Sequence, residues 1–147
     1  MYYVAALRRE GSRTLVSFPD CPGCQTFGRT RELALTNARE ALEGWLETHL
    51  LEGDAPPQPR RRATKGSARV TPVPISPILA VRLQLRWARH ELRLTQAALA
   101  ERVGVTRQQI ALLEAPDANV TLRTLERVAK AMNLRLQVEL VADSAAA

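Results

Sequence analysis

Two cysteines separated by two residues, Cys21 and Cys24, form a pair whose spacing could support thiol chemistry. Such a pair exchanges disulfides when it lies at a helix N-terminus, because backbone amides there lower the thiol pKa. This pair falls in a Pro-Gly turn between two predicted strands. A zinc site would need two more ligands, and the two histidines, His49 and His90, lie in different halves of the chain. We therefore expect an inert turn with no metal and no cofactor, and keep a thiol oxidoreductase as an alternative.

A second group of side chains could recognise the edges of DNA bases. Thr106, Arg107, Gln108 and Gln109 lie together at the start of a predicted helix, Arg107–Glu114. In the major groove, arginine pairs bidentately with guanine and glutamine with adenine, and each pair contributes about 1–3 kcal/mol of discrimination. A recognition helix enters the groove with its N-terminus first. The sequence therefore predicts that these four residues read DNA.

Two short helices and a turn position those residues. Thr95 is a predicted cap for the helix Gln96–Val103, and Thr106 for the helix that follows. Gly104 suits the turn between them, because glycine takes a positive φ without a side-chain clash. The packing residues have the spacing of a helix-turn-helix and are Leu99, Ala100, Val105 and Ile110. A plain helical hairpin in another kind of bundle is the alternative.

The stretch Thr95–Glu114 resembles the helix-turn-helix of lambda-type phage repressors and the wider Xre group. The resemblance implies that Gln96 braces the phosphate backbone, and the helix N-terminus at Thr95 also favours a phosphate. Leu112 departs from the pattern, because some phage repressors carry a polar base-reading residue there.

The rest of the C-terminal half is predicted to add two helices and a strand. The helices are Ile78–His90 and Val120–Leu134, and the first has one apolar face made of Ile78, Val81, Leu85 and Ala88. Alternating residues over 134–141 predict the strand. It has no partner within its half, so we expect antiparallel pairing with a second copy, in the two-fold dimer that a palindromic operator requires. The predicted dimer residues are Leu134, Leu136, Val138 and Leu140. An inert tail, or a strand that joins the N-terminal sheet, is the alternative.

The N-terminal half has the pattern of a small sheet covered by a helix. Strands are predicted over Tyr2–Leu7, Thr14–Phe18 and Cys24–Gly28. A helix is predicted from about Arg31 to Leu50, with a cap at Thr30. Its apolar stripe is Leu35, Ala38, Leu42, Trp45, Leu46 and His49. Two prolines in the segment over 70–75 exclude a central strand and leave an edge strand open.

The same half carries an FPD-x-PGC-x-T-x-G loop and strand, followed by a T-x-x-x-A-x-x-x-A-x-x-A-L helix. The matching residues are Phe18, Pro19, Asp20, Pro22, Gly23, Cys24, Thr26, Gly28, Thr30, Ala34, Ala38, Ala41 and Leu42. In these features the chain resembles the HicB family of antitoxins. The resemblance implies a truncated RNase H-like βββα(β) fold without that enzyme's carboxylates. It also implies a HicA-type mRNA interferase toxin as partner and repression of the pair's own operon.

The acidic residues favour a protein that is not an enzyme. RNase H chemistry needs clustered carboxylates that hold two metal ions. The acids of this half are instead Glu10 near a turn, Asp20 in a loop, and those in or just after the predicted helix. A remnant nuclease is therefore not expected.

Charge and composition divide the chain. Residues 1–54 carry six arginines against eight acidic residues, residues 55–76 carry five basic residues and no acidic one, and residues 77–147 carry ten against seven. We predict an α+β protein with a toxin-binding unit over 1–54, a basic Pro-rich linker over 55–69, and a DNA-binding and dimerisation unit over 76–147. An edge strand over 70–75 is left open. The linker either stays a disordered tether or contacts DNA.

These features together predict a cytoplasmic antitoxin that is also an autorepressor. The sequence contains no run of 18 apolar residues, so no membrane span is predicted. The first residues lack the basic-then-apolar pattern of a secretory signal. The expected partners are the toxin, double-stranded operator DNA and a second copy of the chain, with higher oligomers left open. The alternative is a stand-alone regulator whose N-terminal unit binds a small ligand or oligomerises. The sequence gives no toxin-contacting residues.

Overall fold

The computed structural model describes residues 1–60, 69–116 and 119–142, and it shows an α+β protein. Parts of the predicted linker (61–68) and of the last unit (117–118 and 143–147) lie outside the described residues. The elements are β1 (Tyr2–Glu10), β2 (Arg13–Ser17), β3 (Gln25–Gly28), α1 (Arg31–Leu51), β4 (Arg69–Pro74), α2 (Pro77–Glu91), α3 (Gln96–Val103), α4 (Arg107–Leu113) and α5 (Leu122–Ala131).

Four antiparallel strands form one sheet in the order β3-β2-β1-β4. The edge strand that the sequence left open is present: β4 pairs with β1, and Val70 lies opposite Ala6. Its prolines, which have no backbone N–H, are tolerated because one side of an edge strand makes no hydrogen bonds to a neighbouring strand. Helix α1 covers one face of the sheet, where the alternate β1 residues Tyr3, Ala5 and Leu7 are buried. Tyr2 and Phe27 are not part of this core and are each about half exposed.

Helix α1 starts where β3 ends, and the two come into close contact. Thr30 caps the helix by accepting a hydrogen bond from the Leu33 amide at 3.1 Å. A Cβ on Gly28 would overlap the backbone of Ala34, so only glycine fits there. The predicted apolar stripe is partly wrong, because the fully buried residues are Ala34, Ala38, Leu42, Leu46 and Leu50. Leu35, Trp45 and His49 are only half-buried at the edge of this stripe.

Helix α2 belongs to both halves of the chain. One side carries Leu79, Ala80, Leu83 and Trp87, which are buried in the same core as the sheet and α1. Leu85 and Ala88 pack against the core of the C-terminal helices. The predicted single face was therefore partly wrong, and Ile78 is 60% exposed. A helix shared between two cores needs two buried faces, which a search for one stripe does not detect.

The first residues after α1 are held against the folded units. The Trp87 indole donates to the Pro56 carbonyl at 2.6 Å, and the Tyr3 hydroxyl donates to the Pro57 carbonyl at 2.8 Å. These bonds fix residues 54–58 between the sheet and α2.

The predicted strand over 134–141 is wrong for the single chain, because residues 134–142 have no regular secondary structure. A strand exists only with a hydrogen-bonded neighbour, and the described part of the chain brings none to this segment. The helix before it is also shorter than predicted. Thr121 caps its start, and Asn133, with φ of 58°, turns the chain out of the helix after Met132.

Candidate nucleic-acid interface

Helices α3 and α4 form a tight, doubly capped pair. The Thr95 hydroxyl accepts the Ala98 amide at 3.0 Å, and the Thr106 hydroxyl accepts the Gln109 amide at 3.2 Å. Gly104 joins the helices with φ of 78°, in the left-handed region that glycine favours. Their shared core with α5 consists of Leu99, Ala100, Ile110, Val128 and Met132. Local capping and one small core therefore set the orientation of α4.

The predicted DNA-reading side chains lie on an exposed helix start. Thr106, Arg107, Gln108 and Gln109 are all exposed. Thr95, Gln96 and Arg107 come together in the lining of one cleft of about 480 Å³. The structure thus brings the start of α3 beside the start of α4, as contact with a phosphate and an adjacent base edge would require.

The four residues of the α4 start are not equivalent. The Gln109 side-chain oxygen accepts the Thr106 amide at 2.9 Å, so Gln109 completes a capping box with Thr106. Arg107 and Gln108 make no side-chain hydrogen bond within the described residues. Their donors and acceptors remain available to an outside partner.

Leu112 is also exposed on the recognition helix, with 62% of its surface accessible. It lies one turn after Gln108, on the same side of the helix. An apolar side chain at this position can contact a thymine methyl group and offers no hydrogen bond to any base.

A buried charge cluster that the sequence analysis missed lies behind this surface. Glu114, immediately after α4, accepts two hydrogen bonds from Arg89 at 2.7 and 3.1 Å. The Nε of Arg86 lies 2.7 Å from the same carboxylate, and all three side chains are at least nine-tenths buried. The available signal was the three-residue spacing of Arg86 and Arg89, which places two charges on one face of a mostly apolar helix.

The cluster holds Glu114 in its charged form. Burial by itself would raise the pKa of this carboxyl group. The hydrogen bond from Arg89, the charges of Arg86 and Arg89, and a hydrogen bond from Gln96 outweigh burial and bring the pKa below its ordinary value. The side-chain nitrogen of Gln96 donates to the Glu114 carboxylate at 3.2 Å, which links the first residue of α3 to the end of α4.

Comparison with known proteins identifies both halves. A family model described as HicB_like antitoxin of bacterial toxin-antitoxin system matches residues 2–67, and one described as helix-turn-helix matches residues 85–138. The Antitoxin HicB 1 of Photorhabdus laumondii is 32% identical over 125 residues, which cover 85% of this chain and 77% of that protein. The chain belongs to the HicB antitoxin family.

Two further similarities accompany this HicB assignment. An uncharacterized HTH-type transcriptional regulator of Methanothermobacter thermautotrophicus is 48% identical over 52 residues, or 35% of this chain and 75% of that protein. The crystal structure of the Burkholderia Pseudomallei antitoxin HicB shares 20% identity with a TM-score of 0.47, covering 71% of this chain and 96% of that one. The two family models and the Photorhabdus relative make this chain a HicB antitoxin with a helix-turn-helix DNA-binding domain, and its family is non-enzymatic.

The cysteine pair of this HicB chain is buried away from solvent. Cys21 and Cys24 are both free thiols. Burial, the neighbouring thiol and Asp20 raise the pKa of Cys21 to about 12, and burial raises the pKa of Cys24 to about 11. Over the described ranges, no cluster of histidine, cysteine and acidic side chains has the geometry of a metal site. The two thiols therefore pack as small apolar groups.

We expect both thiols to resist alkylation in the folded protein. At pH 8 iodoacetamide should label them roughly a hundredfold more slowly than in the urea-unfolded chain, because the thiolate is the reactive form and burial suppresses it. Mass spectrometry of timed samples measures the two rates. Rapid labelling before unfolding would contradict the buried turn.

No helix in the part of the chain that the structure describes has the length and apolar character of a membrane span.

Proposed function

We propose that this HicB chain occludes a HicA-type mRNA interferase toxin with its N-terminal unit. We also propose that it binds operator DNA as a dimer to repress the toxin–antitoxin operon. Binding to operator DNA would place the protein in the cytoplasm.

The observation that carries the DNA half of this proposal is the exposed start of α4 beside the start of α3. Arg107 and Gln108 present unused hydrogen-bonding groups there, and Thr95 and Gln96 border the same cleft. We assign Arg107 to guanine, Gln108 to adenine and Leu112 to a thymine methyl group. Gln109 and Thr106 chiefly hold the start of the helix, and Thr95 with Gln96 positions a backbone phosphate.

The toxin half of the proposal rests on family membership, and the fold is compatible with it. Residues 1–54 supply three strands and α1, and β4 completes a four-stranded sheet with that helix on one side. Its acidic balance, six arginines against eight acids over residues 1–54, favours encounter with a basic RNA-binding protein.

Two copies of the chain are proposed to associate through the segment after α5. Leu134, Val138 and Leu140 are 48%, 60% and 98% exposed, and Leu136 lies beside them. Such a run of uncovered apolar side chains is unfavourable in water and is buried when a second copy covers it. A dimer also provides the two recognition helices that a palindromic operator needs.

A Val138→Asp/Leu140→Asp variant is expected to be monomeric while keeping the fold of the single chain. Both residues are exposed, so burying two carboxylates in the contact between copies is the main cost. Sedimentation equilibrium should show about half the native mass, with an unchanged circular dichroism spectrum. Gln137→Ala/Glu139→Ala, on the alternate side of the segment, is the matched control and should stay dimeric. A dimeric aspartate variant would reject this contact.

Co-expression with the neighbouring reading frame tests the whole function. Induction of the neighbour alone should arrest growth, and this chain should restore growth and bind the DNA upstream of its own operon. Operator binding without growth rescue would reject the antitoxin role and leave a stand-alone regulator. Growth rescue without operator binding would reject autorepression.

A further inference from the structure

One buried side chain, Arg86 of α2, contacts both the C-terminal end of α1 and the residue that follows α4. Its two terminal nitrogens donate to the carbonyls of Leu50 and Asp54, each at 3.1 Å, at the C-terminal end of α1. Its Nε forms an ion pair with the Glu114 carboxylate at 2.7 Å. Glu114 follows α4 and accepts a hydrogen bond from the Gln96 side chain at the start of α3. The Arg86 guanidinium thus contacts the antitoxin unit (residues 1–54) at the end of α1. It also contacts Glu114, which holds the two DNA-reading helices, α3 and α4.

The contacts of Arg86 differ from those of its neighbour in the cluster. Among the described residues, Arg89 donates to Glu114 and to the Leu94 carbonyl, both of which follow α2 in the chain. Arg86 alone among these residues reaches across to α1. Its positive charge also suits the end of α1, where the helix dipole is negative.

Moving α1 relative to α2 would cost free energy at this point. The guanidinium of Arg86 is about 95% buried, so donors withdrawn from the two carbonyls would lose their partners without regaining water. The carboxylate of Glu114 would then follow the displaced charge or lose part of its compensation. Either response alters how the ends of α3 and α4 are held.

We propose that Arg86 is a positioning residue that couples the placement of α1 in the antitoxin unit to the orientation of the DNA-reading helices. This inference rests on the proposed operator binding. By the reciprocity of coupled equilibria, DNA on α4 must then change the stability of the α1 end, and a ligand that displaces α1 must change operator affinity by the same factor.

Hydrogen exchange at the end of α1 tests the coupling in the full chain. The amides of Glu52, Gly53 and Asp54 bond back to the last turn of α1 and report its opening. The probe is a duplex spanning the region upstream of the operon. Adding it to the native protein should change the exchange rate of these amides about threefold or more. In Arg86→Met the DNA-induced change in exchange rate should fall to less than about 1.5-fold. In Arg86→Lys, which keeps the positive charge but has one nitrogen in place of the guanidinium, the change should be intermediate.

A control variant separates coupling from lost stability. Leu42→Ala removes a fully buried side chain of the antitoxin core, remote in sequence from the cluster, and should destabilise the chain while keeping the DNA-induced change. Failure of the native protein to bind the duplex would reject the proposed function itself. Binding without any change at the α1 end, or an equal change in Arg86→Met, would overturn the role of Arg86 while leaving operator binding intact.

Discussion

Replacing Arg107 and Gln108 together by alanine is expected to weaken binding to the operator roughly thirtyfold to ten-thousandfold. Each side chain is exposed and uncommitted within the described structure, so each can make one bidentate contact with a base. Two such contacts contribute about 2–6 kcal/mol of discrimination. Fluorescence anisotropy at one fixed salt concentration, with the operator and a scrambled duplex, measures the loss.

The two duplexes distinguish base reading from general attraction. Affinity for the scrambled duplex should fall far less, because contacts with phosphate do not depend on sequence. Arg102→Ala, an exposed arginine at the far end of α3, is the matched control and should keep the preference for the operator. The double variant should still restore growth in the presence of the toxin. A variant that kept its operator preference would place base reading elsewhere on the surface.

Replacing Glu114 by glutamine is expected to destabilise the protein by about 3–5 kcal/mol. The change leaves the buried guanidinium groups of Arg86 and Arg89 without a counter-charge, and removing one member of a buried ionic group is far more costly than removing an exposed pair. Urea denaturation followed by circular dichroism measures the free energy of unfolding. Glu126→Gln, which removes an exposed pair with Lys130 in α5, is the matched control and should cost less than about 0.5 kcal/mol.

The same carboxylate should make stability depend on pH in a defined direction. Its pKa in the folded protein lies below the ordinary value of 4.5, so the unfolded chain takes up a proton first as the pH falls. The contribution of Glu114 is fully present above about pH 4.5 and is lost as the pH falls through the lower, folded pKa. The difference in stability between the native protein and Glu114→Gln should therefore shrink below pH 4.5. A difference that stayed constant down to pH 3 would contradict the charged cluster.

The Glu114 result also bears on DNA binding. Since Glu114 holds both Gln96 and the end of α4, its loss should disturb the phosphate contact as well as the fold. Arg107 and Gln108 act on the DNA directly, whereas Glu114 acts by holding the helices that carry them. Urea denaturation should therefore distinguish the two variants. Glu114→Gln should lower the free energy of unfolding strongly, and the Arg107/Gln108 double variant should leave it nearly unchanged.

Local features of the chain could be predicted from the sequence. The caps at Thr30, Thr95 and Thr106 and the turn at Gly104 depend on residues within four positions of each other, so their spacing was sufficient. Three strands of the sheet were predicted from their alternating residues, and the prolines left the fourth open as an edge strand. Family membership followed from motifs of the same short range.

The tertiary structure decided what depends on distant residues. The strand expected over 134–141 is absent, because a strand requires a neighbour that the single chain does not bring to this segment. The second buried face of α2 could not be predicted from one apolar stripe, since its partners are the sheet and α1, far away in the sequence. Arg86 meets Leu50 across 36 residues, and Arg89 meets Glu114 across 25. Local periodicity does not predict these contacts, because they form only when α2 packs between two cores. There the arginine side chains become buried and need a hydrogen-bond or charge partner.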